Sequence, residues 1–467
     1  MPDRNPDLDY ALRKTTAVIL AGGKGARLHD LGAMQAKPAV PFGGSHRLID
    51  FPLSNCINSG IRRIGVATQY RAQSLLRHLN KGWSFLHRDL DEFIEPWPAE
   101  QAGDGNGWYK GTADAVFQSL RHLGGDTPEH ILVLAGDHVY KQDYRRMLAE
   151  HIQNDADATI SCVGVPTGKA QDFGIVAIDA TNSVKTFIEK PKAPATIPGS
   201  PDTCLASMGI YLFKADFLAE LLYEDHHNSA SSHDFGHDLL PRLVGRSKLY
   251  AHQFTNSCRA GVSAALPYWR DVGTLDAYWR ACLDLTDVHP PLDLYDTSWP
   301  IRTAPEQRPA ARIILSPNSQ FGQIRNVVLA PGAIIEDTNL DHSIVSADVH
   351  IAPHCCIKKS VLLPGSTVGE GTILHKTVVS EGCTIPENMA VGLDAEEDKR
   401  WFTRTADGVT LVTPHGLQQR MIGRKLSAPR RPANTAMVHR KMDREIAPRP
   451  GNANLPAPLS LSQPSLP

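Results

Sequence analysis

The sequence lacks several features that would place it in common protein classes. Its 467 residues carry 48 Lys and Arg against 50 Asp and Glu, so the formal net charge of −2 gives no general case for binding nucleic acid or an anionic membrane. No apolar run approaches the ~18 residues that span a bilayer, and the first residues lack the apolar core of a signal peptide. The eight cysteines form no C-x-x-C pair of the zinc or redox type. We therefore expect a cytoplasmic protein with reduced cysteines and with no nucleic-acid or membrane partner.

The first ~290 residues alternate short β-type runs with longer helical patterns. The runs are TAVIL (16–20), IRRIGVAT (61–68), HILVLAGDHVY (130–140), ATISCVGV (158–165), GIVAID (174–179) and MGIYLF (208–213). Continuous apolar strands separated by helices are typical of an α/β domain with a largely parallel sheet that is buried on both faces. Ligands of such sheets lie beyond the carboxyl ends of the strands.

A six-residue period of aliphatic side chains begins near residue 328. Three registers carry it: Val328, Ile334 and Leu340; Val345, Ile351, Ile357 and Leu363; and Ile373, Val379, Ile385 and Val391. Small and turn-forming residues separate these positions. The pattern predicts a parallel β-helix in which each aliphatic side chain faces inward. The alternative is an ordinary β-sandwich with accidental spacing.

Composition divides the chain further. A proline-rich stretch without a sustained period follows the α/β region and predicts a linker along a surface. The last 44 residues contain eight prolines and eight Lys or Arg against two acids, which is typical of a disordered basic tail. We predict an N-terminal tail (1–14), a catalytic α/β domain (15–290), a linker (291–322), a β-helix (323–423) and the tail (424–467).

The strongest local motif is AGGKGARL, directly after the first predicted strand. Consecutive glycines let backbone N–H groups close on phosphate oxygens, and Lys24 and Arg27 add positive charge there. The spacing matches neither G-x-x-x-x-G-K-[ST] nor G-x-G-x-x-G, so the standard P-loop and dinucleotide motifs are absent. A phosphate-binding turn is favoured over a tight structural turn.

Further motifs follow in a fixed order: AKPAVPFGG, IDFPLSNCINSGIRR, WYKGTADA, LAGDHVY, IEKP, SMGIY, SSHDFG and YWRDVGT. Together with the six-residue repeat, they resemble bacterial ADP-glucose pyrophosphorylase (the glucose-1-phosphate adenylyltransferase family) from about residue 14 to 413. The resemblance implies a Rossmann-like nucleotidyltransferase domain with a mostly parallel mixed sheet, followed by a left-handed parallel β-helix. It also implies a reaction in which ATP and α-D-glucose 1-phosphate give ADP-glucose and pyrophosphate for glycogen biosynthesis.

The resemblance implies a role for individual residues. The implied catalytic residues are Asp137, Arg27 and Lys190. The implied glucose 1-phosphate site consists of Tyr109, Gly174, Glu189, Lys190 and Ser207. The implied nucleotide site consists of Leu20, Ala21, Gly22, Gly23, Gly25, Arg27, Gln69, Gly111 and Asp137. Asp137 and Asp271 are the implied ligands of Mg²⁺, an ion that prefers carboxylate, phosphate and water oxygens.

Without the resemblance, several of these residues have simpler interpretations. Asp137 could cap a helix, and Lys190 could be a surface lysine before Pro191. Trp108 and Trp269 could be core residues as readily as stacking surfaces. We interpret His138 as a positioning residue, because an ionised phosphate nucleophile needs no general base.

The family resemblance also implies a homotetramer controlled by small anionic effectors, with Lys37 and Arg47 matching two effector-binding positions. Four other positions lack the cations found in the enteric enzymes: Met34, Gln35, Pro414 and Gln418. Each charge-assisted bond is worth on the order of 1.5–3 kcal/mol, so we predict weak or absent activation by fructose 1,6-bisphosphate.

Two alternative functions remain open. One is a sugar-1-phosphate nucleotidyltransferase that uses UTP or dTTP, and the other is a non-catalytic regulatory subunit of the same fold. The presence of Arg27, Asp137, Lys190 and Asp271 argues against the second, since such subunits commonly lose these residues.

Overall fold

The structure is a computed structural model that describes residues 6–23, 28, 31, 35–100, 108–123, 127–197, 199–259, 267–317 and 319–426. Residues 1–417 form one compact unit, and residues 418–467 form a second. Arg27 and Gly25 of the glycine-rich loop, Met34, and residues 427–467 of the predicted tail lie outside the described residues. None of the helices in the described part of the chain is long and apolar enough to cross a membrane.

The helices of the described residues are α1 (Pro6–Arg13), α2 (Asp50–Ser59), α3 (Gln73–Gly82), α4 (Thr112–Ser119), α5 (Tyr144–Gln153), α6 (Ala215–His226), α7 (Leu240–Leu243), α8 (Leu275–Asp284), α9 (Ala395–Trp401) and α10 (Pro414–Leu426). Local sequence determines several of their starts. The Asp143 carboxylate accepts a hydrogen bond from the Arg145 N–H at the start of α5. The Thr274 hydroxyl does the same for the Ala277 N–H at the start of α8, so both are ordinary N-caps.

The strands of the first part of the chain are β1 (Thr15–Ala21), β2 (Pro41–Phe42), β3 (His46–Arg47), β4 (Arg63–Thr68), β5 (Phe93–Pro98), β6 (His130–Ala135), β7 (His138–Tyr140), β8 (Ala158–Pro166), β9 (Gly174–Ile178), β10 (Val184–Glu189), β11 (Thr203–Lys214), β12 (Leu249–Gln253) and β13 (Trp269–Asp271). Nine of them form one sheet with the main order β10-β9-β11-β6-β1-β4-β5. The order confirms the predicted α/β sheet.

The sheet is mixed. Strand β1 pairs in parallel with both β4 and β6, and β4 pairs in parallel with β5. In contrast, β11 is antiparallel to β6, β8 and β9. Six of the seven residues of β1 are buried, as expected for a strand covered on both faces.

The strands of the second part are β14 (Arg312–Ile314), β15 (Ile324–Leu329), β16 (Ile334–Glu336), β17 (Asn339–Val345), β18 (His350–Ile351), β19 (Cys356–Lys358), β20 (Val361–Leu362), β21 (Thr367–Val368), β22 (Ile373–His375), β23 (Thr377–Val379), β24 (Thr384–Ile385), β25 (Ala390–Val391), β26 (Thr403–Arg404) and β27 (Thr410–Val412). Successive parallel pairs stack coil upon coil, for example β16 on β18, β21 and β24. This confirms the predicted β-helix.

The register corrects one detail of the predicted period. Ile351, Val368 and Ile385 are stacked partners, 17 residues apart, whereas three strict hexads would place partners 18 apart. The deviation explains why the six-residue pattern divides into three registers. It also changes one residue: Ile334 was expected to face inward but is 38 % exposed, and its neighbour Ile335 is fully buried instead.

Two predicted connecting segments contain ordered structure. The segment predicted as an N-terminal tail holds α1, whose Ala11 and Leu12 belong to the buried core. The segment predicted as a linker holds β14, which pairs in parallel with β16 of the β-helix. Trp299 of the same segment is buried and donates its indole N–H to the Asn55 side chain.

One apolar cluster joins the two parts of the compact unit. From the first part it contains Val139 of β7, Val272 directly after β13, and Leu275 and Tyr278 of α8. From the β-helix it contains Ile344, Val361, Leu363, Val378, Val409 and Leu411. The β-helix therefore shares a core with the elements that carry the candidate site.

Candidate functional site

Two aspartates from distant parts of the chain meet at one end of the sheet. Asp137 follows β6, and Asp271 is the last residue of β13. Strand β13 pairs with β7 so that Asp271 lies opposite His138, the residue next to Asp137. The strand pairing thus accounts for the meeting of residues that are 134 positions apart in sequence.

The side chains of one lysine and one histidine contact both aspartates. The Lys37 Nζ lies 2.5 Å from Asp137 Oδ2 and 3.6 Å from Asp271 Oδ1. The His138 Nε2 lies 3.7 Å from Asp137 Oδ1 and 3.8 Å from Asp271 Oδ1. Asp137 and Asp271 therefore share Lys37 and His138 as neighbours and form a carboxylate pair.

The charge state of Asp137 follows from these contacts. Partial burial raises its pKa, but the Lys37 ammonium, with a smaller contribution from His138, outweighs burial and holds the pKa of Asp137 at about 2. Asp137 is therefore ionised at neutral pH, as an oxygen ligand of a cation must be.

The position of Lys37 does not match the effector-binding role expected for it. Lys37 was expected to bind an effector, but it is 8 % exposed and its ammonium is directed to the carboxylate pair. Arg47 instead donates its guanidinium N–H to the Gln35 side chain at 3.2 Å and to the Ala39 carbonyl oxygen. An effector role for Lys37 therefore stays a prediction that this geometry does not favour.

The glycine turn lies beside a second group of predicted residues. Gly22 and Gly23 directly follow β1. A Cβ on Gly22 would lie 3.2 Å from Gln69 Cβ, and Gln69 Oε1 accepts a hydrogen bond from the Tyr109 N–H at 3.2 Å. Gln69 therefore links the turn to the WYKGT segment. Leu20 and Ala21 end the strand that leads into this turn.

The WYKGT segment is also fixed from its other side. A Cβ on Gly111 would lie 2.2 Å from the His233 carbonyl oxygen, so only glycine allows this approach. The Thr112 hydroxyl donates to Asp234 Oδ2 at 3.0 Å. These contacts attach the predicted nucleotide segment to the SSHDFG segment.

A third group lies at the end of β10. Gly174 is the ladder partner of Glu189, and a Cβ on Gly174 or on Gly236 would lie 2.8 Å from Glu189 Oε2. Lys190 pairs with Glu189 Oε1 at 3.0 Å and is otherwise largely exposed. Two glycines thus leave room for the Glu189 carboxylate, while the Lys190 ammonium remains available to an anion.

The remaining predicted residues lie on or near β11 and β13. The Ser207 hydroxyl is 3.5 Å from the Tyr211 hydroxyl, and the Tyr211 ring packs 5.4 Å from that of Phe235. Trp269 is buried against His138 at a ring distance of 5.3 Å, whereas Trp108 is 54 % exposed. Trp269 is thus a core residue beside the carboxylate pair.

Both parts of the chain match families of known proteins. A nucleotidyl transferase family model matches residues 16–288, and a model of the GlmU-like C-terminal hexapeptide region matches residues 309–412. The chain is 49 % identical over 420 residues to a glucose-1-phosphate adenylyltransferase of Paraburkholderia phytofirmans, which covers 90 % of this chain and 99 % of the relative. A second, from Nitrosomonas europaea, is 50 % identical over 408 residues and covers 87 % and 94 %.

The chain belongs to the glucose-1-phosphate adenylyltransferase family. A further relative of that name, from Rhodospirillum rubrum, is 47 % identical over 411 residues, 88 % of this chain and 97 % of the relative. The chain is accordingly a nucleotidyltransferase by family.

The donor set of the carboxylate pair fits a hard divalent cation. The Lys37 ammonium lies within 4 Å of both aspartates, so the two carboxylates are close enough to face one positive charge together. Within the described ranges, no group of three or more His, Cys, Asp or Glu side chains could hold a metal by itself. Two carboxylates completed by phosphate and water oxygens are the usual coordination of Mg²⁺.

The sequence motifs did not single out Gly236 or Asp234 as site residues. Gly236 helps to accommodate Glu189, and the Asp234 carboxylate accepts hydrogen bonds from the Gly236 and His237 N–H groups. The SSHDFG motif pointed to this segment. Its residue types did not indicate which residues make room for Glu189 or hold the segment in place.

Proposed function

We propose that the protein transfers the adenylyl group of ATP to α-D-glucose 1-phosphate, forming ADP-glucose and pyrophosphate for glycogen biosynthesis. The observation that supports this most strongly is the carboxylate pair at the end of the sheet, beside the end of β1 that leads into the glycine turn: the Gly136 N–H donates to the Leu20 carbonyl at 3.1 Å. In the reaction, a phosphate oxygen of the sugar phosphate attacks the α-phosphorus of ATP. The bond between the α-phosphorus and the bridging oxygen to the β-phosphorus breaks, and pyrophosphate leaves.

Such a transfer depends on alignment and on neutralisation of negative charge more than on covalent catalysis. Asp137 and Asp271 would hold Mg²⁺, which when bound neutralises charge on the nucleotide phosphates. The backbone of Gly22, Gly23 and Gly25 and the Arg27 guanidinium would bind the β- and γ-phosphates and stabilise the leaving pyrophosphate. Leu20, Ala21, Gln69 and Gly111 would shape the rest of the nucleotide site.

The sugar phosphate would bind at the end of β10. Lys190 is exposed enough to pair with a phosphate dianion, and Glu189 lies next to it. Tyr109, Gly174 and Ser207 would complete this site. No residue needs to act as a general base, because the attacking phosphate oxygen is already ionised at neutral pH.

Lys37 would act in this reaction centre, because its ammonium is within 4 Å of both carboxylates. We keep Arg47 as an effector-binding residue and propose small anionic effectors and a homotetramer. Met34, Gln35, Pro414 and Gln418 supply no cation, so fructose 1,6-bisphosphate should activate weakly or not at all. Titration of this bisphosphate into the forward assay is the test, and strong activation at micromolar concentration would contradict the proposal.

The nucleotide assignment is tested by pyrophosphate release from glucose 1-phosphate with ATP, UTP or dTTP in the presence of Mg²⁺. We expect kcat/KM for ATP to exceed that for the other two by at least ~10²-fold. A preference for UTP or dTTP would identify a different sugar nucleotide product. Absence of pyrophosphate with all three nucleotides would identify a non-catalytic subunit.

A further inference from the structure

Helix α8 connects the carboxylate pair directly to the β-helix. The helix begins four residues after Asp271, and its first turn and middle contact the β26–β27 hairpin. The Thr405 hydroxyl donates to Asp276 Oδ1 at 2.7 Å, and Arg280 forms an ion pair with Asp407. Asp276 and Arg280 are four residues apart and therefore lie on the same face of α8.

The hairpin turn that holds α8 is itself well ordered. The Thr405 N–H donates to the Val409 carbonyl at 2.9 Å, and the Val409 N–H donates to the Thr405 hydroxyl oxygen at 3.0 Å. Gly408 supplies the left-handed backbone that the turn requires, with φ of 84°. The Thr405 hydroxyl therefore accepts one bond within the turn and donates its proton to α8, which leaves it a single orientation.

Trp279 provides a second attachment of α8 to the β-helix. Its indole N–H donates to the Lys359 carbonyl at 2.8 Å, and the Lys376 ammonium lies 5.8 Å from the centre of its ring. Lys376 also donates to the Asp407 carbonyl at 3.4 Å. Lys376 therefore contacts both attachments.

The segment between Asp271 and α8 has little freedom to absorb movement. Val272 and Leu275 are at most 1 % exposed and belong to the apolar cluster shared with Val409. On its other side, Asp271 is held by the three-residue ladder between β13 and β7 and by the contacts of its carboxylate with Lys37 and His138. A two-stranded ribbon of this length is marginal by itself, so the position of Asp271 also depends on α8.

We propose that the β-helix positions Asp271 through α8, and that Thr405, Asp407 and Trp279 are positioning residues of the divalent-cation site. This inference rests on the proposed role of Asp137 and Asp271 as cation ligands. The β-helix would then be part of the catalytic apparatus as well as an assembly and regulatory domain, because loosening α8 would displace one of the two carboxylates.

The test uses the full-length double variant Thr405→Val/Asp407→Asn and Mn²⁺ alone as the probe, with free Mn²⁺ measured by electron paramagnetic resonance. We expect the Kd for Mn²⁺ to rise about tenfold, as is typical when groups that orient metal ligands are removed. The Mg²⁺ concentration for half-maximal turnover should rise by a similar factor, while kcat at saturating Mg²⁺ stays within about twofold of wild type.

Two further variants separate the possible outcomes. Lys399→Met removes an exposed ion pair with Glu396 on α9 and should leave the Kd for Mn²⁺ unchanged. Trp279→Phe keeps an aromatic ring but removes the indole N–H, and it should also raise the Kd for Mn²⁺. This variant takes the place of the double variant if the latter does not fold.

An unchanged Kd for Mn²⁺ in a variant with a lowered Tm would overturn the inference, because α8 would then only hold the two parts together. The underlying assignment has its own control, Asp271→Ala. If that variant binds Mn²⁺ as well as wild type does, the proposed cation site itself is wrong.

Discussion

The nine-stranded sheet and the β-helix use polar residues in opposite ways. In the β-helix, the same role recurs every 17 residues: the Ser360 N–H donates to the Ser343 hydroxyl, and the Thr377 N–H donates to the Ser360 hydroxyl. In the sheet domain, Asp137, Asp271 and Lys37 come from three unrelated segments and meet once. A repeating environment builds a scaffold, whereas a single meeting of charged groups builds a site.

The largest predicted difference between the regions concerns turnover. Asp137→Ala removes a carboxylate of the pair and should lower kcat/KM by at least about 10³-fold, equivalent to several kcal/mol of charge stabilisation. Asp341→Ala in the β-helix removes an acid whose side-chain partner is His342, and it should leave turnover within about twofold. Both are measured by pyrophosphate release, and similar losses in the two variants would erase the distinction.

The second prediction concerns stability, for which the larger effect is expected in the β-helix. Leu374 is fully buried in the β-helix core, where it stacks between Ile357 and Val391. Leu374→Ala should lower the free energy of unfolding by about 2–5 kcal/mol, because it leaves a cavity. The measurement is urea denaturation followed by circular dichroism, together with turnover at a temperature where the variant is folded. A stable variant would mean that the coil can collapse around the cavity.

The third prediction concerns acid stability of the sheet domain. Burial lowers the pKa of His151 to about 3, while the unfolded chain titrates near 6.5. The unfolded state therefore binds a proton that the folded state does not, so stability is full above pH 6.5 and falls as the pH decreases toward 3. Between pH 7 and pH 5 the loss is about 2 kcal/mol.

Urea denaturation at both pH values checks this, with His151→Leu as the comparison. The variant should lose less stability than wild type over the same interval. An equal pH dependence in the two proteins would assign the acid sensitivity to other groups.

The smallest predicted effect lies in the glycine turn. Among the described residues, nothing lies within 4 Å of a Cβ built on Gly23, so Gly23→Ala should change the free energy of unfolding by less than about 1 kcal/mol. If the backbone here binds phosphates, the added methyl group should nevertheless raise the KM for ATP several-fold. Steady-state kinetics with ATP varied give the answer, and an unchanged KM would indicate a purely structural turn.

The two regions were also predictable to different degrees. The apolar runs predicted β1, β4, β6, β8, β9 and β11, because buried strands need continuous apolar sequence. The aliphatic period predicted the β-helix, but the 17-residue coil shifted the register, and Ile334 faces solvent as a result. The aliphatic period predicts the architecture, but it does not predict the position of each side chain within a coil.

The carboxylate pair could not be predicted from periodicity. Nothing in the local sequence indicates that β13 pairs with β7, so only the family resemblance predicted that Asp137 and Asp271 lie together. The place of Lys37 was missed because its ammonium lies against residues that are 100 and 234 positions away in the sequence. Such contacts depend on the complete topology.

We propose that Asp137 and Asp271 act as one cation-binding unit in adenylyl transfer. A double-mutant cycle tests it most directly, by comparing kcat/KM for ATP and glucose 1-phosphate in Asp137→Ala, Asp271→Ala and the double variant. We predict that the double variant is no slower than the slower single variant, within about threefold, because either substitution already disables the site. Losses that multiply would contradict this proposal and show that the two carboxylates act independently.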